Sequence, residues 1–183
     1  MRTKDLVHVA LFAAIVVVLG LFPAVPLPFV PVPITAQSLG VMLAGSILGA
    51  RKGGLALLVF VVLVAVGLPV LSSGAGGLGA LLRPSGGFVL SWPVAAFVIG
   101  WLTERVWRRY NLGWALLCNA AGGIVVSYLI GVPFLAVAGG LDLWTALTGS
   151  LAFVPGDAAK VVLASLAGVT MRRAYPLVPA RAA

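Results

Sequence analysis

Residues 112–137, LGWALLCNAAGGIVVSYLIGVPFLAV, form a run without a single charged side chain. A helix needs roughly 20 predominantly apolar residues to cross the hydrocarbon core of a bilayer, so this run is long enough to span one. The chain of 183 residues is 62% hydrophobic and 9% charged, whereas about a quarter of the residues in ordinary soluble domains are charged. The sequence therefore predicts an integral membrane protein.

Other apolar runs precede and follow this one, separated by Pro-rich, Gly-rich or basic connections. In chain order the runs are approximately Leu6–Phe22, Ile34–Ala50, Leu55–Leu71, Gly87–Thr103, Leu112–Val137 and Pro155–Met171. We expect an all-α integral membrane protein with six transmembrane helices, one for each run, in a single domain over residues 1–183. The segment DLWTALTGS (142–150) predicts a short interfacial helix that Asp142 caps.

The basic residues follow a regular pattern between the runs. They precede the first run, join the second to the third and the fourth to the fifth, and follow the sixth: Arg2, Lys4, Arg51, Lys52, Arg105, Arg108, Arg109, Arg172, Arg173 and Arg181. Six spans place all of them on one side, and the positive-inside rule makes that side, with both termini, the cytoplasm. The net charge of +8 then indicates the topology of a multi-pass cell-membrane protein, not affinity for nucleic acid.

Two ionisable residues stand at the start of the last run, in FVPGDAAK (153–160). Pro155 suits a first helical turn, and Asp157 in that turn complements the positive end of the helix dipole. Lys160 lies on the same helix face about one turn deeper. Ionisable groups inside a span are costly, so they are a functional-site hypothesis by default. The pair offers a polar ligand both an acceptor and a donor; alternatively, it only pins the end of the helix.

Four blocks of the sequence together match a known family: VPITAQSLGVMLAGSILGARKG (32–53), RPSGGF (83–88), YLIGVPFLA (128–136) and FVPGDAAK (153–160). They resemble BioY, the biotin-specific substrate-capture (S) component of energy-coupling factor transporters. The resemblance implies a single transmembrane substrate-binding domain with six helices, cytoplasmic termini and an outward-facing biotin site. It also implies partners, namely a transmembrane coupling subunit and two ATPase subunits, with which biotin is delivered inward.

The resemblance further implies which residues contact biotin. The substrate-binding set consists of Asp157, Lys160, Arg83, Ser85, Gly86, Gly87, Tyr128 and Gln37. The two glycines after Ser85 would let backbone N–H groups approach the ligand. Arg83 stands where the family pattern usually has Gly; it either reaches the biotin carboxylate bidentately or remains a solvated loop charge. Gln37 could instead cap the second helix, and Tyr128 could serve packing alone.

Ala10 and Ala14 in the first run form a small-xxx-small face, which allows another helix to approach closely. The resemblance implies that an alanine motif at this place meets the coupling subunit. Contacts within the bundle are the alternative explanation for the two alanines.

The residue inventory argues against several other functions. A G-x-x-x-x-G-K-[ST] phosphate loop is missing from the sequence, which excludes ATP hydrolysis by that route. Too few ionisable groups converge on the outer half for catalysis, so we expect neither an enzyme nor a cofactor, and the single histidine excludes a multi-histidine metal site. The alternative to a biotin-capturing subunit is a stand-alone facilitator or ion-coupled vitamin carrier, although one acid–base pair offers little support for ion coupling.

Overall fold

The protein is predominantly helical in a computed structural model that describes residues 2–27, 30–175 and 177–178. The helices are α1 (Thr3–Leu19), α2 (Gln37–Leu48), α3 (Ala50–Ala65), α4 (Leu78–Leu81), α5 (Gly86–Arg105), α6 (Leu112–Ala120), α7 (Ser127–Gly139), α8 (Leu143–Ser150) and α9 (Val154–Ala174). A π-helical turn, Ala121–Val126, joins α6 to α7, and a 3₁₀ turn, Leu151–Phe153, joins α8 to α9.

Among the described residues, three helical segments are long and apolar enough to cross a bilayer: Gly86–Arg105, Leu112–Gly139 and Leu143–Ala174. Helices α1, α2 and α3 are shorter, with 17, 12 and 16 residues. At about 1.5 Å per residue, α2 is about 18 Å long, less than the roughly 30 Å of the hydrocarbon core. The protein is therefore a membrane-embedded bundle that combines long helices with short ones.

The prediction that a helix begins at Ile34 is wrong, and the all-α expectation has one exception. Antiparallel strands β1 (Val25–Leu27) and β2 (Val30–Ile34) form a hairpin before α2. Prolines recur in VPLPFVPVP (25–33), and proline lacks the N–H that a helix interior requires. The Pro-rich connection between the first two runs is therefore non-helical, and β2 extends it to Ile34, so the second helix begins only at Gln37.

The predicted start of the third helix at Leu55 is also wrong, because α3 already begins at Ala50. Gly49 has a φ of +81°, a conformation that glycine adopts at little cost. This single residue reverses the chain between α2 and α3. As a result, Arg51 and Lys52 lie in the first turn of α3 and not in a loop.

The short helix predicted from DLWTALTGS is confirmed as α8. The Asp142 Oδ1 atom accepts hydrogen bonds from the backbone N–H groups of Trp144 at 3.0 Å and Thr145 at 3.1 Å. These bonds satisfy donors that a helix start would otherwise leave unpaired. Hydrogen bonding from Thr145, through its side chain and its backbone, lowers the pKa of Asp142, so the cap is ionised at neutral pH.

Helix α5 lies at the centre of the bundle, where it packs against α2, α3 and α7. Glycines allow this close approach. A Cβ on Gly45 of α2 would lie 2.7 Å from the carbonyl oxygen of Ala96, and a Cβ on Gly100 would overlap the backbone of Ala50. Small residues serve this purpose in membranes, because close van der Waals packing drives helix association there.

A buried polar cluster joins α2, α6 and α9 within this apolar bundle. The Asn119 Oδ1 atom accepts from Ser46 Oγ at 2.9 Å, and the Asn119 Nδ2 atom donates to Ser165 Oγ at 3.1 Å. All three residues are fully buried. Their mutual hydrogen bonds compensate the cost of burying polar groups and align the three helices.

Basic residues gather at one end of the bundle. Lys52 Nζ lies 3.4 Å from Asp5 Oδ1 and donates to the Leu177 carbonyl at 3.3 Å. At the same end, Arg172 of α9 donates to the carbonyl of Tyr110, just before α6. The assignment of this end to the cytoplasm stays a prediction, and Arg181 lies outside the described residues.

Candidate ligand-binding cavity

A cavity of about 250 Å³ lies between the helices at the end of the bundle that includes the β-hairpin. Its walls come from α2, α5, α7 and α9, and its rim comes from β2 and from the two ends of the α3–α5 connection. Six of the eight residues predicted to bind substrate line it: Asp157, Lys160, Arg83, Ser85, Tyr128 and Gln37. Residues from separate parts of the chain thus converge on one cavity.

Asp157 and Lys160 form an ion pair in the cavity wall, with 3.0 Å between Asp157 Oδ1 and Lys160 Nζ. Lys160 Nζ also donates to Ser38 Oγ of α2 at 2.9 Å. The hydroxyl of Tyr128 in α7 donates to Asp157 Oδ2 at 2.8 Å. The side chains of Lys160 and Asp157 are only 13% and 11% exposed. A nearly buried ion pair therefore connects α2, α7 and α9.

These hydrogen bonds leave part of the bonding capacity of the pair unused. An ionised carboxylate offers about four acceptor positions, and Tyr128 and Lys160 occupy two of those of Asp157. An ammonium group has about three donor hydrogens, and Asp157 and Ser38 engage two of them. The pair can therefore accept hydrogen bonds from ligand N–H groups and donate one to a ligand oxygen without losing its internal contacts.

The position of Asp157 follows from local sequence, but its contacts do not. Pro155 and Asp157 lie in the first turn of α9, as the Pro-Gly-Asp sequence predicts. The hydrogen bonds of the pair, however, reach Ser38 and Tyr128 on other helices. A role confined to pinning the end of α9 does not account for these contacts.

The π-helical turn before α7 precedes the cavity residue Tyr128. Within the turn, Gly122 and Gly123 fit closely against the side chains of Ile99 and Met42, where a Cβ would overlap. A π turn changes the rotational phase of the helix that follows, and such turns are frequent at functional sites. Here Gly123 within the turn and Tyr128 after it both line the cavity. Sequence reasoning missed this feature.

Aromatic side chains form the apolar side of the cavity. The ring of Phe88 makes edge-to-face contacts with Tyr128 and Phe153, with ring centroids 5.9 Å and 6.0 Å apart. Trp92, one turn further along α5 than Phe88, also lines the cavity. Phe88 and Phe153 occur in the blocks RPSGGF and FVPGDAAK, yet sequence reasoning considered only their polar and glycine neighbours. Ser38, which lies in the first block next to Gln37, was also missed.

Gln37 is 1% exposed, and its side chain joins three parts of the chain. Its Nε2 donates to the carbonyls of Val16 at 3.1 Å and Val70 at 2.9 Å, and its Oε1 accepts from the Ser72 N–H at 3.0 Å. The alternative role as a cap of the second helix is wrong, because Gln37 is the first residue of α2 and makes no cap hydrogen bond. Gln37 shapes the cavity by holding α1 and the α3–α5 connection, and its contact with a ligand stays a prediction.

The block RPSGGF divides into cavity residues and packing residues. Arg83 and Ser85 lie at the cavity rim, with the Arg83 side chain exposed. Gly86 and Gly87 are buried at the start of α5 and do not appear in the cavity wall. A Cβ on Gly86 would overlap the Leu81 carbonyl, and one on Gly87 would overlap Phe134. The structure thus gives a packing reason for both glycines.

Ala10 and Ala14 are exposed on the outer surface of α1. Neighbouring side chains on this helix, such as Val7 and Leu11, are 60% and 52% exposed. Packing within the bundle therefore does not account for the two alanines. They form part of an apolar face that is open to lipid or to another helix.

The fold and the cavity define a class of protein: a membrane-embedded helical bundle with a cavity that is lined by a nearly buried ion pair and by aromatic side chains. The sequence matches the BioY family over residues 1–177. The chain belongs to that family.

Relatives with assigned names agree with this membership. Proteins named biotin transporter BioY from Rhizobium etli and Rhodobacter capsulatus are 51% and 44% identical to the chain. The first match covers 100% of both proteins, and the second covers 94% of this chain and 95% of the relative. A crystal structure described as the S-component for biotin from an ECF-type ABC transporter is 32% identical, with a TM-score of 0.89 over 94% of this chain and 95% of that one. These proteins are named for transport, which confirms that the chain is not an enzyme.

Proposed function

We propose that this protein captures biotin at the cell membrane and delivers it inward together with an energy-coupling module. One observation carries the proposal: in a member of the BioY family, an ion pair with unused hydrogen-bonding capacity faces a cavity with an aromatic wall. Such a cavity suits a ligand that has both a polar head and an apolar body.

Biotin has the chemistry that this cavity can bind. Its ureido ring has two N–H donors and a carbonyl, which complement the acceptor positions of Asp157 and the remaining donor of Lys160. Its thioether ring and hydrocarbon chain can pack against Phe88 and Phe153. The carboxylate at the end of the chain can then reach Arg83 at the rim, where a guanidinium group binds carboxylates in a bidentate manner.

The orientation in the membrane is also part of the proposal. Six spans with cytoplasmic termini, in one domain, place the basic end inside and the cavity outside. Supporting this arrangement, Lys52 and Arg172 lie together at the end of the bundle opposite the cavity. A basic surface at the cytoplasmic ends of helices is the pattern that the positive-inside rule predicts.

A coupling subunit and two ATPase subunits complete the proposed transporter. The chain has no phosphate loop of its own, so energy from ATP has to be supplied by partners. The exposed Ala10 and Ala14 would let a helix of the coupling subunit approach α1 closely.

Binding of radiolabelled biotin to the purified protein in lipid nanodiscs tests the central claim. We expect saturable binding of one biotin per chain. Lipoic acid has a similar carboxylate-bearing chain but no ureido ring. An excess of lipoic acid should therefore leave the radiolabelled biotin bound, whereas an excess of unlabelled biotin should displace it. Equal displacement by lipoic acid, or no saturable binding, would contradict the proposed function.

A further inference from the structure

An apolar groove runs between α3 and α5 on the outer surface of the bundle, away from the biotin cavity. Leu55 and Leu58 of α3 form one wall, and Val94 and Phe97 of α5 form the other. These side chains are 36% to 48% exposed. The helices approach closely along the groove because Gly54 has no side chain; a Cβ there would lie 3.2 Å from Phe97 Cβ.

Arg51 lies at the end of the groove that is at the basic end of the bundle, and Arg105 is close to that end through the contact between α3 and α5. Arg51 lines this end of the groove. The backbone N–H of Ala50, its chain neighbour, donates to Glu104 Oε1 at 2.8 Å, so Arg51 and Arg105 flank the same contact between α3 and α5. Both arginine side chains are exposed.

An aromatic residue holds one of these arginines on the groove side of α5. The guanidinium carbon of Arg105 lies 4.2 Å from the ring centroid of Trp101, and Trp101 follows Phe97 by one helical turn. Within the described parts of the chain, Arg51 and Arg105 lack an acidic group at salt-bridge distance, in contrast to Lys52, which is paired with Asp5. Glu104 contributes one negative charge beside two positive ones, so the end of the groove remains basic.

We propose that this groove binds an anionic phospholipid. Its phosphodiester would lie between Arg51 and Arg105, and one acyl chain would lie along the groove formed by Leu55, Leu58 and Phe97. Charge complementarity selects this occupant, because exposed arginines near a membrane surface attract anionic headgroups, and guanidinium groups bind phosphate oxygens bidentately. Trp101 is suited to the headgroup level, where aromatic side chains concentrate.

Native mass spectrometry on protein extracted from nanodiscs of equal phosphatidylglycerol and phosphatidylcholine content tests this site. We expect the parent protein to retain phosphatidylglycerol preferentially. Arg51→Ala/Arg105→Ala should reduce that preference roughly 25-fold, about fivefold for each arginine. Lys4→Ala/Arg109→Ala is the matched control, because it removes two exposed charges from the same end of the molecule outside the groove, and it should retain the preference.

A second variant and a soluble probe distinguish the lipid from other occupants. Val94→Trp fills the groove without changing the charge and should also reduce retained phosphatidylglycerol, whereas excess glycerol phosphate should not compete. If the alanine pair does not fold, as judged by thermal unfolding, Arg51→Gln/Arg105→Gln replaces it.

Three results would overturn the proposal. The first is an unchanged preference in the folded arginine variant, and the second is an equal loss in the control. The third is displacement of phosphatidylglycerol by glycerol phosphate or by the coupling subunit. Either would show that the groove binds something other than a lipid.

Discussion

Replacement of Asp157 by Asn tests the ion pair at the centre of the proposed biotin site. The substitution preserves the size of the side chain but turns a charged acceptor into a neutral amide. In the parent, Tyr128 and Lys160 both donate to the carboxylate, at 2.8 Å and 3.0 Å. An amide has one acceptor oxygen and an NH₂ group, so its NH₂ would face one of these two donors.

The expected loss follows from the environment of the pair. The Asp157 side chain is only 11% exposed, so water cannot fully replace a lost ligand contact. A hydrogen bond to a charged group is worth about 1.5–3 kcal/mol, which corresponds to roughly a 10- to 150-fold weaker affinity for biotin. Lys160→Met removes the cation but keeps the length of the side chain, and it should weaken binding by a similar factor if the ammonium contacts biotin.

Equilibrium titration of each purified variant with biotin measures these losses, with thermal unfolding as the check on folding. Asp142→Asn is the matched control, because it removes a carboxylate that caps α8 outside the cavity. Its affinity for biotin should stay within about twofold of the parent, a change of about 0.4 kcal/mol, because Asp142 lies outside the cavity.

The double variant Asp157→Asn/Lys160→Met separates ligand recognition from structure. A buried ion pair can often be exchanged for neutral groups without loss of stability. If the pair served the structure alone, replacement of both charges would restore binding. We expect the double variant to fold and to bind biotin at least as weakly as either single variant. A folded double variant with the affinity of the parent would refute direct recognition of biotin by the pair.

Three further predictions concern the rim, the topology and the partner surface. Arg83→Ala should lower the affinity for biotin about fivefold in a titration, because an exposed ion pair contributes up to about 1 kcal/mol. The affinity for the uncharged analogue biotinamide should not change, and equal losses for both ligands would contradict carboxylate binding. In intact cells and a background without the native cysteine, Ser73→Cys should react with an impermeant thiol reagent while Arg108→Cys is protected, and the opposite result would exclude the proposed topology. Ala10→Trp/Ala14→Trp should abolish copurification with the coupling subunit without loss of biotin binding, whereas Ala138→Trp, at an exposed alanine of α7, should keep the complex intact.

Much of the fold class depends on information that is local in the chain. The uncharged run 112–137 is sufficient to predict membrane insertion, because the cost of placing a segment in lipid depends mainly on its own side chains. Asp157 and Lys160 are three positions apart on one helix, so their proximity also follows from helical periodicity alone. The capping of α8 by Asp142 is local in the same way.

Only the tertiary structure decided what surrounds these residues. Lys160 bonds to Ser38, 122 positions away, and Asp157 bonds to Tyr128, 29 positions away. Such partners depend on how helices approach and rotate against each other, and small residues such as Gly123 control that packing through contacts with distant side chains. The amino-acid sequence by itself therefore determined a membrane protein with a charged pair near one end of a span. Long-range packing decided that the pair is nearly buried, joined to α2 and α7, and faces an aromatic wall.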